Sequence, residues 1–266
     1  MTGRLRLAVV QCSSMAADVQ ANLARLAETV HAAAVYGAQL VVFPEMYLTG
    51  YNIGEWDIRE LAEPQDGPAI QFIRQAACDA DVHICVGYPE RAADGQIYNS
   101  ALICDPQGRV VLNYRKSHLF GDAEKKVFAR PGPQLPLVVV RGVSIGLLIC
   151  YDVEFPENVR ALAMARADLV VVPTANMKPY LAVCETVVPA RAYENQLYVA
   201  YANYYGDHDG LAYCGGSSIV GPDGVVLAQA DEGAGLLIAD VDRAEIDRSR
   251  SQQCFLEDRV VRAISP

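Results

Sequence analysis

The sequence predicts an α/β protein built from two mixed sheets with helices covering their outer faces. Three observations predict it. Short apolar, β-branched runs alternate along the whole chain with segments whose apolar residues recur at helical spacing. Gly- and Pro-containing turns join several neighbouring runs into hairpins, so antiparallel pairs are interleaved with strand–helix units. No low-complexity linker or shift in composition divides the 266 residues, so residues 1–266 are expected to form one domain.

Taken in order, residues 5–11 read as a first strand. Residues 18–36 place Val19, Leu23, Leu26, Ala27, Val30 and Ala34 on one helical face, and Gly37 ends it. Residues 40–43 are a buried strand closed by Pro44 and Glu45, 68–80 a helix with Pro68 in its first turn, and 84–88 a strand. Residues 99–104 and 110–114 form a hairpin around Asp105-Pro106-Gln107-Gly108, and 137–140 pairs with 143–149 across Arg141-Gly142. Then follow a helix (157–167), a strand (169–172), a helix (181–195), a strand (197–202) and a last hairpin turning at Gly221-Pro222-Asp223-Gly224. The tail, 243–266, is expected to be helical and then irregular, and to dock on a neighbouring subunit.

Composition narrows the function classes. A net charge of −10 lacks the basic footprint that nucleic acid or an anionic membrane requires. No run approaches the length of a membrane span, and the apolar run near Met1 is too short for a signal peptide. The eight cysteines contain no Cys-x-x-Cys pair and the four histidines are scattered, so no metal site is expected. Free thiols in a reducing cytoplasm are the expectation.

Three polar residues stand at the ends of apolar strands, where ligand crevices form in α/β sheets. Glu45 follows Val41-Val42-Phe43-Pro44, Lys116 follows residues 110–115, and Cys150 follows Ile145-Gly146-Leu147-Leu148-Ile149. Singly, each has a plain structural reading: a turn carboxylate, a solvated charge, a packing thiol. Together they supply a general base, an oxyanion stabiliser and a nucleophile. The position of Cys150 before a following helix favours a thiolate. Two rivals stand beside this: a Cys-His hydrolase using His118 or His208, and a non-catalytic sandwich scaffold.

Phe43-Pro44-Glu45, Tyr114-Arg115-Lys116-Ser117-His118-Leu119-Phe120 and Ile149-Cys150-Tyr151-Asp152 resemble, in order, the three signature blocks of the nitrilase, or carbon–nitrogen hydrolase, superfamily. Arg191-Ala192-Tyr193-Glu194-Asn195 and residues 216–224 resemble its later segments. The resemblance implies a four-layer α-β-β-α sandwich with pseudo-symmetric halves. It also implies a catalytic Glu45, Lys116 and Cys150, with a second acid in the loop after the lysine: Glu124, with Asp122 as the other candidate. The Tyr151 backbone N–H joins Lys116 at the oxyanion, and Asp152 is structural. The reaction implied is cleavage of an amide to acid and ammonia through a cysteinyl thioester, without metal or organic cofactor, in a homodimer or larger homo-oligomer.

Residues 46–54, 87–91, 173–177 and 198–204 further resemble the 5-aminopentanamidase branch, which implies 5-aminopentanamide as substrate and a place in lysine degradation. Where ω-amidase-like members usually carry Arg, this chain has Glu154, which suits a substrate ammonium unless it is paired internally. Tyr51, Asn176, Tyr204 and Trp56 are further pocket candidates. An ω-amidase, a nitrilase and an N-carbamoyl amine hydrolase are the alternatives within the superfamily.

Overall fold

The computed structural model describes residues 3–260. The first half of the chain runs β1 (Arg4–Gln11), α1 (Val19–Val35), β2 (Leu40–Val42), α2 (Glu55–Leu61), α3 (Pro68–Ala80), β3 (His83–Arg91), β4 (Ile97–Cys104), β5 (Val110–Arg115) and α4 (Gly121–Val127). The second half runs β6 (Leu137–Val140), β7 (Val143–Leu147), α5 (Pro156–Met164), β8 (Leu169–Pro173), α6 (Val188–Asn195), β9 (Tyr198–Ala202), β10 (Tyr205–His208), β11 (Leu211–Cys214), β12 (Ser218–Val220) and β13 (Val226–Gln229). Strand β14 (Gly235–Asp242) and helix α7 (Arg243–Gln252) close it.

Two six-stranded sheets result, ordered β14-β1-β2-β3-β4-β5 and β6-β7-β8-β9-β12-β13. Each shows the same succession of pairings from its first-named edge: antiparallel, parallel, parallel, antiparallel, antiparallel. The two halves are therefore pseudo-symmetric, as expected. Alternation of side chains splits each strand between two faces. Leu5, Leu7, Val9, Leu40, Val42, Ala101 and Ile103 pack in the same core as Ile145, Leu147, Val170, Val172 and Val199. Ala8, Val10, Val41, Ile84 and Val86 face the other way and meet Leu23, Leu26 and Val30 of α1 and Ile70 and Ile73 of α3. Central strands buried on both faces explain why they read as unbroken apolar runs.

The differences from the sequence reading are local. The strand expected over 143–149 ends at Leu147. Helices α2 and α4, seven residues each, and the short β10–β11 ribbon were not predicted, because so few residues carry no legible period. Nor was β14, which pairs with β1 along eight residues and so returns the chain's end to the first sheet. A π-helical turn, Val183–Val187, interrupts the helix expected over 181–195.

Helix α7 starts where Asp242 Oδ1 accepts the Ala244 N–H (2.9 Å) and buries Ile246 against its own chain. Gln196 Nε2 donates to the Ser249 and Gln253 carbonyls at 2.8 and 2.7 Å, holding the helix's end. The last six residues of the tail, 261–266, lie outside the described residues. Among the described residues no helix is long and apolar enough to cross a membrane.

Candidate active site

Three chain segments leave the two sheets at one end and converge. After β2 the chain turns through Phe43-Pro44 to Glu45, and the Glu45 N–H reaches across to the Thr174 carbonyl beyond β8 (3.3 Å). The turn sits hard against β3: a Cβ on Gly87 would lie 2.4 Å from Met46 N and 2.8 Å from Glu45 Cα. Lys116 leaves β5 with its N–H held by the Asn99 carbonyl (2.8 Å). Cys150 heads a 3₁₀ turn, Cys150–Glu154, and has φ +46°, a left-handed conformation uncommon for a side-chain-bearing residue.

Lys116 Nζ donates to Glu45 Oε1 at 2.7 Å and to Glu124 Oε1 at 2.6 Å, and all three side chains are buried. The Asn99 amide also donates to Glu45 Oε1, at 2.7 Å. Glu124 is held in turn by the Tyr51 hydroxyl (2.7 Å) and the Phe120 N–H (2.8 Å). Burial opposes the charge on Lys116, but Glu124 and then Glu45 outweigh it and keep the ammonium charged well above its ordinary range. Burial pushes the Glu45 carboxyl up, Lys116 pulls it down and Glu124 pushes it up again, leaving it raised. Both of its neighbours bind Oε1, while Oε2 is buried without a hydrogen-bond partner. That leaves one oxygen of Glu45 to take up a proton.

Asp152 locks the Cys150 turn to the segment after β5. Its Oδ2 accepts from the Ile149 N–H (3.2 Å) and the Tyr114 hydroxyl (2.9 Å), and its Oδ1 faces the His118 N–H (2.9 Å) and ring Nδ1 (2.8 Å). Burial and then the Glu45 charge push the Cys150 thiol well up, against the pull of Lys116. Only a short 3₁₀ turn follows Cys150 directly, so the helix-end help that favours a thiolate is small, and burial and the Glu45 charge oppose it. A thiolate forms here when a base removes the proton.

The remaining candidates separate clearly. Glu124, and not the exposed Asp122, meets Lys116. Tyr51 supports Glu124, with its ring 6.0 Å from Lys116 Nζ. The Tyr151 N–H opens the 3₁₀ turn, where a first-turn donor has no partner within the turn itself. Glu154 is half-buried, and among the described residues no cation forms a salt bridge with it. Arg191 instead pairs with Glu194 (3.0 Å) and donates to the Val153 and Glu154 carbonyls. Burial raises the Glu154 carboxyl, and Lys116 followed by Arg191 draws it back.

Three expected pocket residues have other work. Asn176 Nδ2 is spent on the Tyr180 carbonyl (3.0 Å), closing its own loop. Tyr204 is buried in the outer-face core against Tyr213 (5.2 Å between ring centroids), because alternation past β9 turns it toward Cys12 and Tyr47. Trp56 is 73% exposed on α2. The Cys-His alternative loses its geometry: His118 is committed to Asp152 and stacks on Phe155 at 3.9 Å, while His208 sits on the β10–β11 ribbon. Among the described residues no group of three or more His, Cys, Asp or Glu is arranged to hold a metal, and all eight cysteines are free.

Sequence reading missed Asn99, Thr174, Tyr201 and Tyr213. The buried hydroxyls of the last three have no hydrogen-bond partner by geometry. After burial, Cys150 is the next influence raising the Tyr201 phenol, and Glu45 and Cys150 both act on Tyr213. A polar pair, Asn99-Ser100, inside the otherwise apolar β4 was the one available signal.

Comparison with known proteins bears on this geometry. The carbon–nitrogen hydrolase family profile matches residues 6–251. A protein called "hydrolase in pqqF 5′ region" from Pseudomonas protegens is 48% identical over 96% of this chain and 89% of its own length. An (R)-stereoselective amidase from a Pseudomonas species is 38% identical over 96% of this chain and 91% of its own. The NitN amidase of Nesterenkonia sp. AN1 superposes with a TM-score of 0.86 at 34% identity, covering 96% of both chains. In a glutamate-to-leucine variant of that amidase (TM-score 0.83, 32% identity, covering 96% and 94%), the acetamide moiety of fluoroacetamide is covalently added to the active-site cysteine.

Proposed function

Since the chain belongs to the carbon–nitrogen hydrolase family, we propose that it is a thiol amidohydrolase that cleaves a small aliphatic primary amide to an acid and ammonia. The observation that carries this is the buried Glu45–Lys116–Glu124 chain, with one free Glu45 oxygen, together with a Cys150 thiol on a left-handed turn whose proton affinity the Glu45 and Lys116 charges both influence. Glu45 Oε2 takes the Cys150 proton as sulfur attacks the carbonyl carbon. An ammonium has three N–H donors; Lys116 commits two to Glu45 and Glu124 and turns the third, with the Tyr151 N–H, on the oxyanion. Protonated Glu45 passes its proton to the departing nitrogen, the C–N bond breaks, and ammonia leaves a thioester on Cys150. Water, deprotonated by Glu45, attacks the thioester; the acid departs and the thiol regains its proton.

The substrate proposed is 5-aminopentanamide, giving 5-aminopentanoate, a step of lysine degradation in the cytoplasm by a homo-oligomer. Its support is Glu154: a half-buried carboxylate that Lys116 and Arg191 both influence and that no described cation pairs. It offers a substrate ammonium a partner a few residues from the nucleophile. Ammonia release from a panel of ω-amino amides, dicarboxylate monoamides, nitriles and carbamoyl amines tests the substrate. Mass spectrometry of an acyl adduct on Cys150, absent in Cys150→Ala, tests the chemistry. Release from monoamides of dicarboxylic acids in preference to 5-aminopentanamide would remove the substrate assignment.

A further inference from the structure

Asn99 is the third residue of β4, buried, on the strand that runs between β3 and β5. It touches the site twice. Its backbone carbonyl accepts the Lys116 N–H at 2.8 Å, and its side-chain Nδ2 donates to Glu45 Oε1 at 2.7 Å. The other end of the same amide, Oδ1, is buried with no hydrogen-bond partner. A buried carbonyl without a partner is a cost that the fold retains here. Rotating the amide would set Oδ1 against Glu45 Oε1, so the orientation with Nδ2 donating fits an Oε1 that serves as acceptor.

We infer that Asn99 is a positioning residue of the proposed reaction: with Lys116 it saturates Glu45 Oε1, so that Oε2 alone is the basic oxygen, and it tunes how readily that oxygen holds a proton. This rests on the assignment of Cys150 and Glu45 as nucleophile and base. A donor to the charged carboxylate favours the charged form. The Asn99 bond indeed acts downward on a Glu45 carboxyl that burial raises. Loss of the donor therefore raises Glu45 further, and the ionised base appears at higher pH.

The test measures alkylation of Cys150 by iodoacetamide across pH, a readout that needs no knowledge of the natural substrate. Asn99→Leu keeps the backbone link to Lys116 and removes the donor. Its alkylation rate at neutral pH is expected to fall on the order of 10- to 100-fold, in line with a hydrogen bond to a charged group, and its acid limb to move to higher pH. Asn99→Asp keeps the shape but sets a second carboxylate against Glu45 Oε1, which raises Glu45 further, so it is expected to be slow at neutral pH with its acid limb also moved to higher pH. A profile superimposable on the wild type in Asn99→Leu overturns the inference. Should that variant not fold, wild-type rates for Asn99→Asp at neutral pH overturn it instead. A failed amide panel would sink the substrate assignment and leave these profiles intact.

Discussion

The Tyr114 hydroxyl donates to Asp152 Oδ2 at 2.9 Å, joining the strand that leads to Lys116 with the turn that carries Cys150. The two residues stand 38 positions apart, Tyr114 on β5 of one sheet and Asp152 in the 3₁₀ turn that follows β7 of the other, and the bond is buried. It fixes the cation relative to the nucleophile without touching the reacting atoms. Asp152→Ala strands several buried donors at once and is expected to lower unfolding free energy by about 2–4 kcal/mol, whereas Tyr114→Phe removes one bond and costs about 1 kcal/mol. Urea unfolding monitored by circular dichroism distinguishes them, and equal losses would refute the hub role of Asp152.

Gly87 is expected to matter although it takes no part in the chemistry. Any Cβ there meets backbone atoms of Glu45 and Met46, which cannot swing aside as a side-chain end can. Gly87→Ala should cost about 1–3 kcal/mol by overpacking and displace the Glu45 turn, so that turnover falls more than stability alone accounts for. Melting temperature and kcat measured on the same preparation decide it.

Glu154→Gln is expected to raise KM for 5-aminopentanamide by about tenfold, the loss of one charge-assisted contact, and to leave pentanamide nearly unaffected. An equal effect on both substrates would assign Glu154 a structural role.

Acid stability should depend on Glu90. Burial pushes this carboxyl up, but Arg115 (2.6 and 3.0 Å), Ser100, Gln65 and Asn113 together bring it down to about 2, below its ordinary 4.5. A depressed folded value means its stabilisation is complete above the ordinary value and is lost as pH falls from there toward about 2. Glu90→Gln should be less stable than wild type at neutral pH and show a flatter dependence across that acid window. Denaturant titrations at several pH values would reveal a slope unchanged by the substitution if Glu90 is not responsible.

Much of this architecture was legible because its causes are local. Unbroken apolar runs marked β2, β7 and β8, and helical spacing marked α1 and α3. Glu45, Lys116 and Cys150 were conspicuous as polar residues ending such runs. Asn99 was hidden because its effect depends on register: it is one polar residue in a strand until pairing sets it beside Lys116 and the Glu45 turn. The placement of Tyr204 and Asn176 was illegible for the complementary reason. Proximity in sequence to a strand end does not say which face a side chain takes or whether its polar atoms are already spent.

By itself the amino-acid order determined the classes of chemistry present and the rhythm of strands and helices, since both follow from side-chain type and short-range periodicity. The tertiary structure alone decided that Glu45 and Lys116, 71 positions apart, would lie 2.7 Å from each other, that burial and the Glu45 charge would push the Cys150 thiol up, and which carboxylate oxygen would be free. Those outcomes depend on the packing of two sheets, where burial and a neighbour's charge set the balance of each proton, and neither quantity exists along an unfolded chain.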